Sequence, residues 1–158
     1  MSIDSSSVHD IVTEIWESML GLEVSVAAPP PAPPPPHREV CAAVQITGGW
    51  EGAVVVACDE IVAASFTSVM LGLDDDEAPA ESDIHDVMGE LANMAGGNLK
   101  GVVGREAQLS LPTVVVGSDL DISVPGAAVA VREVYTAGDE RFSVTVMAKL
   151  DPAVAVAS

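Results

Sequence analysis

Residues 29–36 read PPPAPPPP and hold seven of the chain's 11 prolines. Proline lacks a backbone N–H and fixes φ, so this run can form neither a helix nor a central strand, and it favours extended polyproline II. It divides the 158 residues into a short leading part and a long remainder that no regular element bridges. Such a tract suits either an SH3-like partner or a spacer. The spacer reading is preferred, because both flanks read as pieces of one domain. A chain of this length can bury a core without disulfide or metal, so residues 1–158 are expected to form a single domain.

Ahead of the prolines, Val8, Ile11, Val12, Ile15, Trp16, Met19 and Leu20 make one apolar stripe at helical spacing. Ser7 is the expected cap and Gly21 the expected stop. After the prolines, residues 39–47 and 52–58 are Val-rich and meet at Gly48-Gly49-Trp50-Glu51, the pattern of an antiparallel hairpin. Asp59 then caps a second helix expected to bury Ile61, Val62, Phe66, Val69 and Met70 before Gly72. A third helix is predicted over about 82–103, followed by strands near 111–117, 127–135 and 141–150, the last two joined at Gly138-Asp139. This order predicts an α+β fold, an antiparallel sheet with long helices packed against it.

Charge narrows the function. Lys+Arg 6 against Asp+Glu 24 gives a net −18, the wrong sign for a surface that tracks phosphates or anionic lipid, so neither nucleic acid nor membrane is an expected partner. Residues 1–20 lack the basic start and apolar centre of a signal peptide, and no apolar run reaches the roughly 20 residues of a membrane span. A cytoplasmic protein is expected. Cys41 and Cys58 read as reduced core thiols, and His9, His37 and His85 as isolated, solvated imidazoles with no zinc spacing. The acidic loop LDDDEAPAESD offers oxygen ligands for a divalent cation but lacks the spacing of a calcium hand, so a solvated loop is preferred.

The third helix carries the chemistry. At 100° per residue Ile84, Val87, Met88, Leu91, Ala95, Leu99 and Val102 face one way, and Asp86, Gly89, Glu90, Asn93, Gly97 and Lys100 the other. Glu90 and Asn93 form an i, i+3 pair. Gly89 and Gly97 flank them, although glycine costs a helix interior about 0.8–1.0 kcal/mol relative to alanine. A bare backbone beside a Glu/Asn pair permits close approach by another molecule; the residues alone leave a solvated face and a docking face both open.

The segment Asp86-x3-Glu90-x2-Asn93, followed by Met94-Ala95-Gly96-Gly97-Asn98, resembles the signature of the CheC/CheX/FliY chemotaxis phosphatases. Pro112 resembles the proline that follows in that signature. The leading helix with Trp16-Glu17-Ser18-Met19-Leu20-Gly21 and the turn Gly49-Trp50-Glu51-Gly52 also fit a CheX-like domain over most of residues 8–150. A single E-x-x-N segment resembles CheX, with one motif per subunit of a dimer, rather than CheC with two.

The resemblance implies a phosphatase that removes the phosphoryl group from the aspartate of a CheY-like response-regulator receiver domain. Asn93 would orient the attacking water and Glu90 would pair with the receiver's lysine, with Asp86, Gly89 and Gly97 contacting the partner. The Mg²⁺ would belong to the receiver, and this chain would need no metal or cofactor of its own. A homodimer is expected. Two alternatives stand beside this reading: a non-catalytic receiver-binding or motor-switch module using the same helix, and a cation-binding or purely structural dimer.

Overall fold

A computed structural model describes residues 3–28, 38–104 and 106–150. The proline tract, His37 and Arg105 lie outside the described residues. Helix α1 (Ser5–Ile15) starts at Asp4 rather than at the expected Ser7. The Asp4 carboxylate accepts from both the N–H and the hydroxyl of Ser7, at 2.9 and 3.0 Å. Ser7 is thus the donor in the cap, because an ionised carboxylate only accepts whereas a hydroxyl can also donate.

From Trp16 to Leu20 the helix widens into a π turn, ended by Gly21 in the left-handed conformation at φ 66°. A π turn advances less than 100° per residue. Trp16 and Leu20 therefore stay in the core while Met19, expected in the stripe, is turned out and 44% exposed.

The hairpin forms as expected. Strands β2 (Glu39–Thr47) and β3 (Gly52–Asp59) pair antiparallel from Glu39 opposite Asp59 to Ile46 opposite Gly52. Strands β6 (Ala127–Ala137) and β7 (Glu140–Lys149) form the second hairpin, with Gly138 at φ 61° in its turn. Three short strands complete the sheet: β1 (Val24–Val26), β4 (Gln108–Leu109) and β5 (Thr113–Gly117). The order is β1-β6-β7-β3-β2, with β4 and β5 both on the far side of β2 and every pairing antiparallel.

Helix α2 (Glu60–Leu71) is capped by Asp59, whose Oδ1 accepts from Ile61 N–H at 2.8 Å, and it stops at Gly72, φ 65°. Its inward residues are Val62, Ala63, Phe66 and Thr67. Ile61 and Val69, expected inside, are 74% and 45% exposed. The helix is apolar on every side, so spacing does not reveal which side is buried. Helix α3 (Glu81–Val103) lies over the hairpin, within one residue of its predicted start.

The helices cover one face of the sheet. Val40, Ala42, Val44 and Ile46 of β2 point into that core, and Trp16 stacks on Phe142 with centroids 4.4 Å apart and planes at 8°. Phe66 meets both rings edge-on and Tyr135 lies 5.6 Å from Phe142. Contacts of this kind are worth about 0.5–1.5 kcal/mol each beyond the area they bury. On the other face, Leu120, Ile122 and Val124 of the β5–β6 connection border clefts shared with Cys41 and Val55. That cover explains why β3 has no polar alternation: Gly52 to Val56 are all buried.

Candidate functional site

The first turn of α3 carries Glu81 and Asp83 and its last turn Lys100, each sign at the end where the helix dipole favours it. Val87, Met88, Leu91, Ala92, Ala95 and Leu99 anchor the helix to the core. This seating fixes which side looks outward. Asp86, Glu90 and Gly97 are exposed and Asn93 is half-buried. With a rise of about 1.5 Å per residue, Glu90 and Asn93 are about 4.5 Å apart along the axis and Asp86 lies one turn before Glu90.

Among the described residues, neither Glu90 nor Asn93 makes a side-chain hydrogen bond or ion pair. Both are therefore available to another molecule without breaking a bond to any described residue. A carboxylate only accepts, whereas a carboxamide offers two donors and an acceptor, so the pair presents a negative charge beside a neutral group of mixed polarity.

Gly89 is the correction. Expected on the open face, it is buried. The carbons of the Pro112 ring lie 3.4 and 3.5 Å from the place its Cβ would occupy, and Val114 Cγ2 lies at 3.5 Å. Gly89 is rotated from Glu90 by one residue, about 100°, which carries it off the outward ridge and under β5. Gly97 has nothing within 4 Å of its Cβ position and remains on the open face. Asn98 is half-buried.

Pro112 is thus seated against the helix turn that carries Glu90. It is held there by Ser110, a residue the sequence did not single out. Gln45 N–H donates to Ser110 Oγ at 2.9 Å, Ser110 N–H donates to the Gln45 carbonyl at 2.9 Å, and Ser110 Oγ donates to the Leu111 carbonyl at 2.9 Å. These bonds tie the link before β5 to the central strand β2, and so fix the proline over α3.

The other titratable groups lie away from this patch. Cys41 and Cys58 are free, buried thiols as expected, and burial raises both above the usual thiol range. The imidazoles depart from expectation. His9 is half-buried and stacks on Tyr135 at 5.9 Å, and its Nδ1 is enclosed without a protein partner. His85 is half-buried, with its Nε2 likewise enclosed. Among the described residues, no three His, Cys, Asp or Glu side chains converge as a metal site, and no helix is long and apolar enough to cross a membrane.

Residues 40–135 match the family model described as Chemotaxis phosphatase CheX. No curated protein matches the sequence. Among solved structures, CheX from Desulfovibrio desulfuricans is similar at 24% identity, with 90% of this chain and 96% of that one covered and a TM-score of 0.71. CheX from Vibrio vulnificus aligns at 17% identity over 90% and 93% of the two chains, TM-score 0.71. A Borrelia burgdorferi CheX, solved as a CheX–CheY–BeF3–Mg²⁺ complex, aligns at 17% identity over 92% and 97%, TM-score 0.70. At these identities the structures establish a shared fold.

Proposed function

The chain belongs to the CheX family of chemotaxis phosphatases, and from that premise we propose that it hydrolyses the aspartyl phosphate of a CheY-like receiver domain with α3 as the docking and catalytic element. The observation that carries this reading is the pairing of Glu90 and Asn93, one helical turn apart, on the outward side of α3 and without partners among the described residues. The Borrelia relative is a CheX bound to CheY with BeF3 and Mg²⁺, which supports a receiver as the partner of this fold.

An acyl phosphate already has a good leaving group. The reaction therefore needs a water held in line with the P–O bond more than it needs strong acid or base catalysis. Asn93 accepts a hydrogen bond from that water through its amide oxygen and donates through its amide nitrogen to a phosphoryl oxygen, adding no charge beside the phosphoryl group. The water oxygen bonds to phosphorus, the bond to the receiver's aspartate breaks, and the aspartate leaves as a carboxylate while inorganic phosphate is released. Glu90 pairs with the receiver's lysine and fixes the helix in its active site. Asp86, one turn away, contacts the rim. The Mg²⁺ is the receiver's own. Two copies of the chain pair, each presenting one motif.

Single-turnover phosphate release from a phosphorylated receiver tests the assignment, with binding followed separately. Asn93→Ala should lose most of the acceleration and keep nearly all of the binding. Asn93→Asp should fail as well, because it adds a repelled charge and removes a donor. Glu90→Lys should instead weaken binding. Full activity in Asn93→Ala would remove the catalytic role and leave α3 as a docking surface, the non-catalytic module.

A further inference from the structure

The outward ridge of α3 runs Asp86, Glu90, Asn93, Gly97, Lys100, in alternate steps of four and three residues. Asn93 stands at its middle, about 10.5 Å from either end. Two carboxylates lie on one side of it and a single ammonium on the other. Lys+Arg 6 stand against Asp+Glu 24 in this chain, so carboxylates are plentiful, and Arg38 pairs with Glu60 at 3.7 Å and Lys149 with Glu51 at 3.0 Å. Lys100, half-buried, has no ion pair among the described residues. The positions three and four residues away, where a helix would set a partner, hold Gly96, Gly97, Val103 and Gly104. Helical side chains lean towards the N-terminus, which for Lys100 is towards Asn93. Gly97 leaves that way open, with nothing within 4 Å of its Cβ position.

We propose that Lys100 is a specificity-determining residue, pairing with a carboxylate of the receiver beside its phosphorylated aspartate so that α3 docks in one direction only. This contact rests on the receiver reading put forward above and adds a residue to it. The partner's chemistry selects the group. A receiver that holds Mg²⁺ surrounds it with oxygen ligands, carboxylates among them. A chain of net charge −18 meets such a site with repulsion, and Lys100 is the one lysine or arginine that α3 brings to it. Direction follows from asymmetry. Glu90 and Lys100 lie on opposite sides of Asn93, about 15 Å apart along the axis. With Glu90 on the receiver's lysine and Lys100 on a carboxylate, both contacts attract. A helix turned end for end sets like charge on like charge at both, and that pose is rejected.

Association of the full chain with CheY-like receivers of the same organism, loaded with BeF3 and Mg²⁺ and followed at low and at physiological salt, tests this. Phosphate release and thermal melts run beside it. Lys100→Glu should slow association about tenfold or more at low salt, and the gap to wild type should narrow as salt screens the pair. Lys100→Met should show a smaller loss, and Lys100→Arg, which keeps the charge, should associate like wild type. In phosphate release the loss should fall on KM and not on kcat, the reverse of Asn93→Ala. If Lys100→Glu does not fold, Lys100→Met decides. Unchanged association in a substituted chain, beside a wild type that binds and dephosphorylates a receiver, overturns the role of Lys100 and leaves the receiver reading standing; a lowered Tm alone would then mark it as a partner of the helix dipole. A wild type that binds none of the receivers overturns the receiver reading, and the Lys100 contact with it.

Discussion

Replacing Gly97 should make the protein more stable and a poorer phosphatase at once. Gly97 sits inside α3, is exposed, and has no atom within 4 Å of the place a Cβ would take. An alanine there gains the helix-propensity difference of about 0.8–1.0 kcal/mol with nothing to offset it. For a chain of this size that corresponds to a rise in Tm of about 2–4 °C. The neighbouring glycine is the internal control. A Cβ on Gly96 would lie 3.2 Å from Val44 Cγ1 and 3.4 Å from Leu109 Cδ2, so crowding of the kind that costs about 1–3 kcal/mol cancels the helix gain. Gly97→Leu keeps nearly the same propensity and adds bulk on the ridge between Asn93 and Lys100. It should melt above wild type yet release phosphate from the receiver more slowly. Thermal melts and single-turnover release, run on the three variants, read both effects. A Gly97→Ala variant that melts no higher than wild type would refute the open-space reasoning. A Gly97→Leu variant with the wild-type rate would show that no partner reaches this stretch of helix.

Two further outcomes are expected. Gly52→Ala would place a methyl group on the Met147 carbonyl of the adjoining strand, forcing β3 and β7 apart; a loss of more than about 3 kcal/mol by urea unfolding is expected, and wild-type stability would refute the close approach. Tyr135, the one tyrosine, is fully buried, and its pKa is pushed up to about 12 by burial first and by the Glu133 charge second. The phenol of an unfolded chain ionises near 10, so the stability it lends is complete below about pH 10 and lost as pH rises from there towards 12. Ultraviolet titration of the folded protein with a midpoint near 10 would refute it.

What the sequence made legible was whatever local chemistry decides. Asp59 announced a cap, Gly21, Gly72 and Gly138 announced reversals, and all of these stand in the structure. The missing elements were those decided at a distance. Strand β1 is three residues long and finds its partner in β6, and β4 is two residues long and leans on β2; neither has a pattern of its own. Met19 was misplaced because a π turn breaks the 100° step, and Ile61 because a helix without a polar side gives no phase. At the candidate site the residues were legible and their surroundings were not. Spacing put Glu90 and Asn93 on the outward side of one helix. It had no means of knowing that β5 would lie over Gly89, or that Ser110 would pin Pro112 there, since both depend on a strand pairing far away in the sequence.

The strand order has a consequence for the order of synthesis. Helix α1 and β1 are made before the strands they need: the partner of β1 is β6, and Trp16 completes its stack only on Phe142 of β7. Those two strands leave the ribosome after every other described element. Until then Trp16 lacks the ring it stacks on, and β1 has no neighbour to bond. The β2–β3 hairpin with α2 and α3 can collapse early, because its contacts are nearby in sequence. The outer half of the sheet cannot, and the N-terminal segment has to wait, tethered, for the last hairpin to arrive. Folding of this domain is therefore sealed by its final hairpin, and a nascent chain arrested before β6 would leave Trp16 without Phe142 and β1 without its partner, an apolar end of the leading helix that the finished protein buries.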